Sequence, residues 1–386
     1  MNEQIIDGFP HWRDEELETE LSSILSAHDR DLVAIGRLPS SRFALEAFED
    51  AVATLNDEER TSAIEVLFED ALDRRGSFED CIYLEVRARE LKLESLANRF
   101  AEATVERFER NGIMLAWRNH RSEHLPEVKN IAIAKRNGTA TVMLCRPLFN
   151  ILDIATMREL RHAIELLDKS HQVNELPIVV LTGLGPRAFS TGGDIKEHLP
   201  PTYEQMIKET HDLFKAFVKA DLLTISKVRG QTQGCAFELV ALSDFAIAGE
   251  SARFRHPEVD LGCFPSVAVA LYPLLPEWKA LKSIVLTGRA LKPHEARALE
   301  LVTDVVKDED LDSRVAQLVC ELQKKSPIVL RLARKALLGD RDLRDDFIAA
   351  LDRSERLYLQ ELGRTHDMKE GLQAFLEKRP PDFTGK

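Results

Sequence analysis

The chain has 386 residues, 44% of them hydrophobic and 30% charged, and a formal net charge of −13. That length suits two or three domains, and the composition excludes disordered, collagen-like and disulfide-scaffold proteins. No apolar run reaches the roughly 18 residues of a membrane-spanning helix, and the opening MNEQIIDGFPHWRDEELETE is acidic where a signal peptide is basic, so the reading is a soluble cytoplasmic protein with no membrane partner.

The negative charge is uneven. Residues 1–128 carry 29 acidic and 15 basic side chains, and the remainder is near neutral with 36 and 37. An acidic third is repelled by phosphates, which argues against nucleic acid, while the neutral remainder can hold a single anionic ligand. The five cysteines (Cys81, Cys145, Cys235, Cys263, Cys320) are odd in number and form no CxxC pair, so neither disulfides nor a metal site is expected.

From Asp14 to about Phe108, LETELSSIL, FALEAFEDAVATL, RTSAIEVLFEDALDR and SLANRFAEATVERFER space their apolar residues three and four apart. Glycine occurs in this third only at Gly8, Gly36, Gly76 and Gly112, so we expect an all-α N-terminal domain over residues 1–127, suited to packing or oligomerisation. HRSEHLPEVKN, with Pro126, reads as the hinge to a second domain over residues 128–386.

The second domain has α/β texture. NIAIAKRNGTATVMLCRP predicts a hairpin turning at Asn137-Gly138, IATMRELRHAIELLDKS a helix, and LPIVVLTGLG a buried strand. DLLTISKVRG and DFAIAG read as strands flanking a helix, and IVLTGRALKPHEARALELVTDVV as strand, helix and strand. The core is assigned to residues 128–311; residues 312–386 form a helical C-terminal region ending in the tail RPPDFTGK.

Three segments can carry chemistry. In AFSTGGDIKEH a strand leads through glycines into an apparent helix near Asp194, where the backbone can approach a ligand and first-turn N–H groups lack partners. In KVRGQTQGCAFELVALSDFAIAG a turn at Gly234 opens a helix whose first N–H groups belong to Cys235, Ala236 and Phe237. Two such donors facing each other stabilise charge on a carbonyl oxygen. Glu238 sits in the apolar stretch AFELVAL, where a carboxylate is costly unless paired or protonated. The third segment, ARFRHPEVDLGCFPS, places Glu258 in a loop after a short strand. Two rigid carboxylates can clamp one water, their repulsion splitting acid from base.

Cys235 has no flanking cation to lower its pKa, so it is read as a small residue used for its N–H rather than as a nucleophile. His256 either bonds Glu258 or is an ordinary loop histidine. The run Glu377-Lys378-Arg379 is a solvated helix end that can also reach a phosphate.

These segments, in this order, resemble the crotonase or enoyl-CoA hydratase superfamily, as do CRPLFNIL, IVLTGRALKPHEARALELV and HDMKEGLQAFLEKRPPDFTG. The likeness covers about Val128 to Lys386. It implies a spiral of ββα units, a helical C-terminal region that trims a homotrimer or homohexamer, and an acyl-CoA substrate with no other cofactor. By the same resemblance the oxyanion N–H donors fall on Gly193 and Cys235, the acid/base pair on Glu238 and Glu258, and coenzyme A contacts on Lys196 and Lys378.

FSTGGDIKEHLP, the turn before GCAFELVA, and RLYLQELGRTHDMKEGLQAFLEKR look most like cyclohexa-1,5-diene-1-carbonyl-CoA hydratases of aromatic degradation. The chain departs from the usual pattern with Cys235 in place of glycine, His256 in place of glutamine, and the added carboxylate of Asp260. The resemblance implies a hydro-lyase acting on an α,β-unsaturated acyl-CoA. Two rivals stay open: cofactor-independent dioxygenation of an aryl- or cyclic acyl-CoA in the same fold, and a scaffold or RNA-binding use of it.

Overall fold

The computed structural model describes residue 64 and residues 78–386, apart from residues 91, 111, 119, 123–124, 147–148, 170–175 and 338–342. The helices expected between 14 and 77 lie, Ile64 aside, outside the described residues.

Helices α1 (Phe78–Glu90) and α2 (Glu94–Arg110) form a hairpin. Strands β1 (Met114–Trp117), β2 (His120–Arg121), β3 (Ile131–Arg136) and β4 (Thr139–Leu144) follow. The β3–β4 turn falls on Asn137 and Gly138, both with positive φ, as a two-residue hairpin loop needs. Helix α3 (Ile154–Lys169) buries Met157, Leu160, Ile164 and Leu167 on one face.

The chain then repeats one unit, a long strand, a short strand and a helix. Strands β5 (Ile178–Gly183) and β6 (Ala188–Ser190) lead to α4 (Tyr203–Lys219); β7 (Leu223–Val228) and β8 (Gln231–Gln233) lead to α5 (Cys235–Leu242). Strands β9 (Phe245–Gly249) and β10 (Arg253–Arg255) lead to the short α6 (Ala268–Leu271) and to α7 (Trp278–Thr287). Helix α8 (Pro293–Ala298), strand β11 (Asp304–Val306) and helices α9 (Leu311–Gln323), α10 (Pro327–Leu337), α11 (Leu343–Gln360) and α12 (His366–Leu376) complete the described chain. No helix among the described residues is long and apolar enough to cross a membrane.

The long strands join an eight-stranded sheet ordered β11-β9-β7-β5-β4-β3-β1-β2, and the short ones a separate sheet ordered β10-β8-β6. Strand alternation assigns the faces of the large sheet. Ile131, Ile133, Val142 and Leu144 point into the main core, and Ala132, Met143 and Cys145 into a second cluster on the other face. Both faces are apolar, so both need cover. Helix α9 covers β5, β7 and β9 with Leu311, Val315 and Leu318, while α1 and α2 cover β1, β3 and β4 with Ile82, Val86, Ala97 and Phe100.

This relates the N-terminal helices to the sheet. Strands β1 and β2 precede the 127/128 boundary read from the sequence, yet β1 pairs along its length with β3 and extends the same sheet. The expected hinge after His120 instead holds part of β2 and the buried Leu125 and Val128. Buried Glu85 of α1 accepts from the Trp117 indole at 3.0 Å and pairs with Arg118 and Arg89. A second correction concerns IVLT, read as a strand. It is the last turn of α7, closed by Gly288 in the left-handed conformation at φ +60°.

Candidate active site

The small sheet carries the site. Strands β6, β8 and β10 are parallel, with Ser190 opposite Thr232 and Arg255 opposite Gln233, so their C-terminal ends open on one edge. The segments that follow these strands carry Gly193 in a turn, Cys235 and Glu238 in the first turn of α5, and Glu258 at the start of a 3-10 turn.

Glycines allow the turns to touch. Gly192 has φ +85°, and a β-carbon on it would meet the Gln233 carbonyl oxygen at 2.8 Å. A β-carbon on Gly193 would strike the His198 ring at 2.9 Å. That ring is fixed by a 2.8 Å contact between its Nδ1 and the Asp194 carbonyl. The helix expected from Asp194 is a single 3-10 turn, Ile195–His198, capped by the Asp194 side chain, which accepts the Lys196 N–H at 2.9 Å. No backbone carbonyl among the described residues takes the N–H of Gly193 or of Cys235. Both contact the Cys235 sulfur, a weak acceptor that a ligand oxygen can replace.

The Cys235 thiol faces the Gly193 N–H. Burial, followed by the charges of Glu238 and Glu258, pushes its pKa well above the usual thiol range, so it is a neutral thiol and no nucleophile.

Glu238 is 2% exposed. The apolar helix α5 carries it inward, and its Oε1 accepts the N–H groups of Val267 at 3.1 Å and Ala268 at 2.6 Å. Glu258 begins a 3-10 turn, Glu258–Leu261, and its side chain is 15% exposed. Its Oε1 lies 2.8 Å from the place a Gly234 β-carbon would occupy, which sets it at the first turn of α5. The two carboxylates sense each other. Burial first, and then the charge of Glu258, raises Glu238 well above the ordinary carboxylate range; burial raises Glu258 to about 7, against the opposing pull of Arg255.

Such a pair keeps one proton into the neutral range. Burial makes Glu238 the more reluctant to ionise, but its two amide donors act only on the charged form. Oε2 of Glu258 has no hydrogen-bond partner and is the open place for a proton. Oε2 also lies 3.9 Å from Nδ1 of the fully buried His256, whose Nε2 contacts the Tyr272 hydroxyl at 2.6 Å and whose ring stacks on Phe237. Burial drops the pKa of His256 to about 3, so the ring is neutral.

A cavity of about 580 Å³ opens at this edge, lined by Gly193, Lys196, Gln233, Arg255, Pro257 and Asp260, with Phe149 and Phe375 as apolar walls. Lys196 stands on the wall. Lys378 does not line it; the left-handed turn at Lys378, φ +56°, ends α12 and the chain brings Arg379 to the wall instead. Sequence reading missed Arg255, which ends an unremarkable strand, and Phe375, which looks like an ordinary helix residue. Asp260, noted as an extra acid, pairs with Arg255. Among the described residues no three His, Cys, Asp or Glu side chains form a group that could hold a metal ion.

Comparison with known proteins places these features in context. The family model described as enoyl-CoA hydratase/isomerase matches residues 134–386. Cyclohexa-1,5-dienecarbonyl-CoA hydratase of Thauera aromatica is 31% identical over 259 residues, 65% of this chain and 95% of that protein. 2,3-Dehydroadipyl-CoA hydratase of Escherichia coli (strain K12) is 29% identical over 262 residues, 67% of this chain and all of that protein. The crystal structure of an enoyl-CoA hydratase from Mycobacterium avium subsp. paratuberculosis superposes with a TM-score of 0.59 at 24% identity, over 67% of this chain and 99% of that one, which shows a shared fold.

Proposed function

The chain belongs to the enoyl-CoA hydratase/isomerase family, and from that premise we propose that it adds water to an α,β-unsaturated acyl-CoA thioester, or removes it, using Glu238 and Glu258. The observation that carries the reading is a pair of carboxylates, Glu238 buried and Glu258 15% exposed, that sense each other near two backbone N–H groups that no backbone carbonyl takes, with Gly193 and Pro257 on the wall of a cavity that also carries cationic side chains.

The thioester oxygen sits between the N–H groups of Gly193 and Cys235. A water lies between the carboxylates. Glu238, its charge held by two amides, takes a proton from the water as its oxygen bonds the β-carbon. Glu258 delivers its proton to the α-carbon. Negative charge builds on the thioester oxygen in between, so each N–H donor contributes on the order of 3 kcal/mol in the transition state. Lys196, Arg255 and Arg379 suit the phosphates of coenzyme A, the first of them as the resemblance implied.

A cyclic dienoyl group is the preferred acyl chain, supported by the 31% identity to the Thauera aromatica hydratase. A homotrimer is the preferred assembly. The exposed Val329, Leu332 and Leu337 of α10 and Leu357 of α11 are apolar surface that such a contact would cover. The test is incubation with linear and cyclic enoyl- and dienoyl-CoA thioesters, following product mass and dissolved oxygen. A mass gain of one water with no oxygen uptake supports hydration; oxygen uptake supports dioxygenation instead.

A further inference from the structure

A buried polar chain outside the acyl cavity starts on α11 and ends beneath Glu238. Oε2 of Glu355 lies 2.9 Å from Nδ1 of His211 on α4, and Nε2 of that ring is 2.8 Å from the Ser266 hydroxyl. The approach of Glu355 is off a straight hydrogen bond, yet this contact is the largest single influence on the carboxylate. His211 is fully buried and Ser266 is 6% exposed. The contact with His211, ahead of any other influence, holds the Glu355 carboxylate below its ordinary range, and an ionised Glu355 favours the tautomer with its proton on Nδ1. Nε2 then accepts the Ser266 O–H.

Ser266 is pinned a second time. Its carbonyl accepts the Ser354 hydroxyl of α11 at 2.6 Å. The next two residues are Val267 and Ala268, whose N–H groups bind Glu238. A turn held at both the hydroxyl and the carbonyl of one residue cannot swing the two amides that follow it.

The distances match a serine–histidine–carboxylate nucleophile, but Ser266 is only 6% exposed and directly precedes the two amides that bind Glu238. We propose instead that Ser266, His211, Glu355 and Ser354 are positioning residues: they fix the two amides that aim Glu238 and favour its charged form, and they tie the active site to the C-terminal helix α11. The inference rests on Glu238 being the base. Glu258, Cys235 and Tyr272 are the other titratable groups that sense Glu238, and Lys215 and Asp352 stand near Glu355.

The test compares Ser266→Ala and His211→Gln with Leu213→Ala, a control that thins the core under the same helix. Loosened amides favour the ionised carboxylate less, so the acid limb of the rate profile moves to higher pH by about half a unit or more, kcat falls about tenfold, and KM stays within about twofold. Leu213→Ala lowers the melting temperature and leaves the limb in place. Wild-type kcat and an unmoved limb in Ser266→Ala, or an equal shift in the control, overturn the inference. If His211→Gln fails to fold, Ser266→Ala, which removes a single oxygen, decides. Glu238→Gln assayed alongside separates the two claims: an active Glu238→Gln sinks the base assignment itself, while an inactive one with an unaffected Ser266→Ala sinks only the positioning role.

Discussion

Oε1 of Glu258 packs against the bare α-carbon of Gly234, where a β-carbon would come within 2.8 Å of it. The same glycine holds φ +54° and ψ −132°, a region that only glycine occupies at low cost. Space and backbone therefore both require glycine. Gly234→Ala is expected to lose about 1–3 kcal/mol of stability and at least about tenfold in kcat, because the added methyl displaces the carboxylate we propose as the acid. Denaturant melts and steady-state kinetics on the same preparation check both.

The Arg255 charge pulls Glu258 down while burial pushes it up to about 7. Removing the cation lets the carboxyl hold its proton to higher pH. Arg255→Gln should move the alkaline limb of kcat/KM upward by several tenths of a pH unit to about one unit. A limb that stays fixed or moves down counts against Glu258 as the proton donor.

The raised Glu258 also bears on stability. Its folded value of about 7 exceeds the ordinary 4.5, so the folded protein takes up a proton that the unfolded chain has already lost between those values. Stability from this group is fully present below about pH 4.5 and is lost as the pH rises through 7. Glu258→Gln should therefore melt higher than the wild type at alkaline pH, by about 2–4 °C, with the gain shrinking toward pH 5. Differential scanning calorimetry across that range measures the difference.

Cys235 is half-buried, and that burial and two neighbouring carboxylates keep its thiol protonated, whereas Cys320 is exposed. Iodoacetamide at neutral pH is expected to alkylate Cys320 and leave Cys235 intact, as read by peptide mass mapping. Cys235→Gly keeps the backbone N–H and should retain turnover within about threefold, since only the main chain stabilises the acyl oxygen.

Much of this site was legible in the sequence because it is built from local signals. The Gly-Gly and Gln-Gly turns, the acid in AFELVAL and the acid after His256-Pro257 each announce themselves within a few residues, and the three parallel strands bring them together. The support behind the site was not legible. Ser266, His211 and Glu355 come from a loop and two distant helices, and nothing in their neighbourhoods marks them. The end of α7 was read as a strand because IVLT is β-branched and apolar, though one face of the helix buries it: Ile284 and Val285 are inside, and Leu286 is 66% exposed. Strand β1, only four residues long, has no pattern of its own; its identity comes from β3, which supplies its ladder, and from the Trp117 indole bonded to Glu85. Removing that acid as Glu85→Ala strands the indole N–H and takes the carboxylate from Arg118, while Arg89 keeps Glu94 and Asn98, and is expected to lower stability by about 2–4 kcal/mol, with kcat unchanged, in urea denaturation.

The most direct test of the account is the turnover of Glu238→Gln on whichever enoyl-CoA the wild type hydrates, measured beside the calorimetric affinity for that thioester. The account predicts turnover down by about a hundredfold or more with affinity retained, since the side chain acts on water and not on the coenzyme A portion. Turnover near that of the wild type would contradict it.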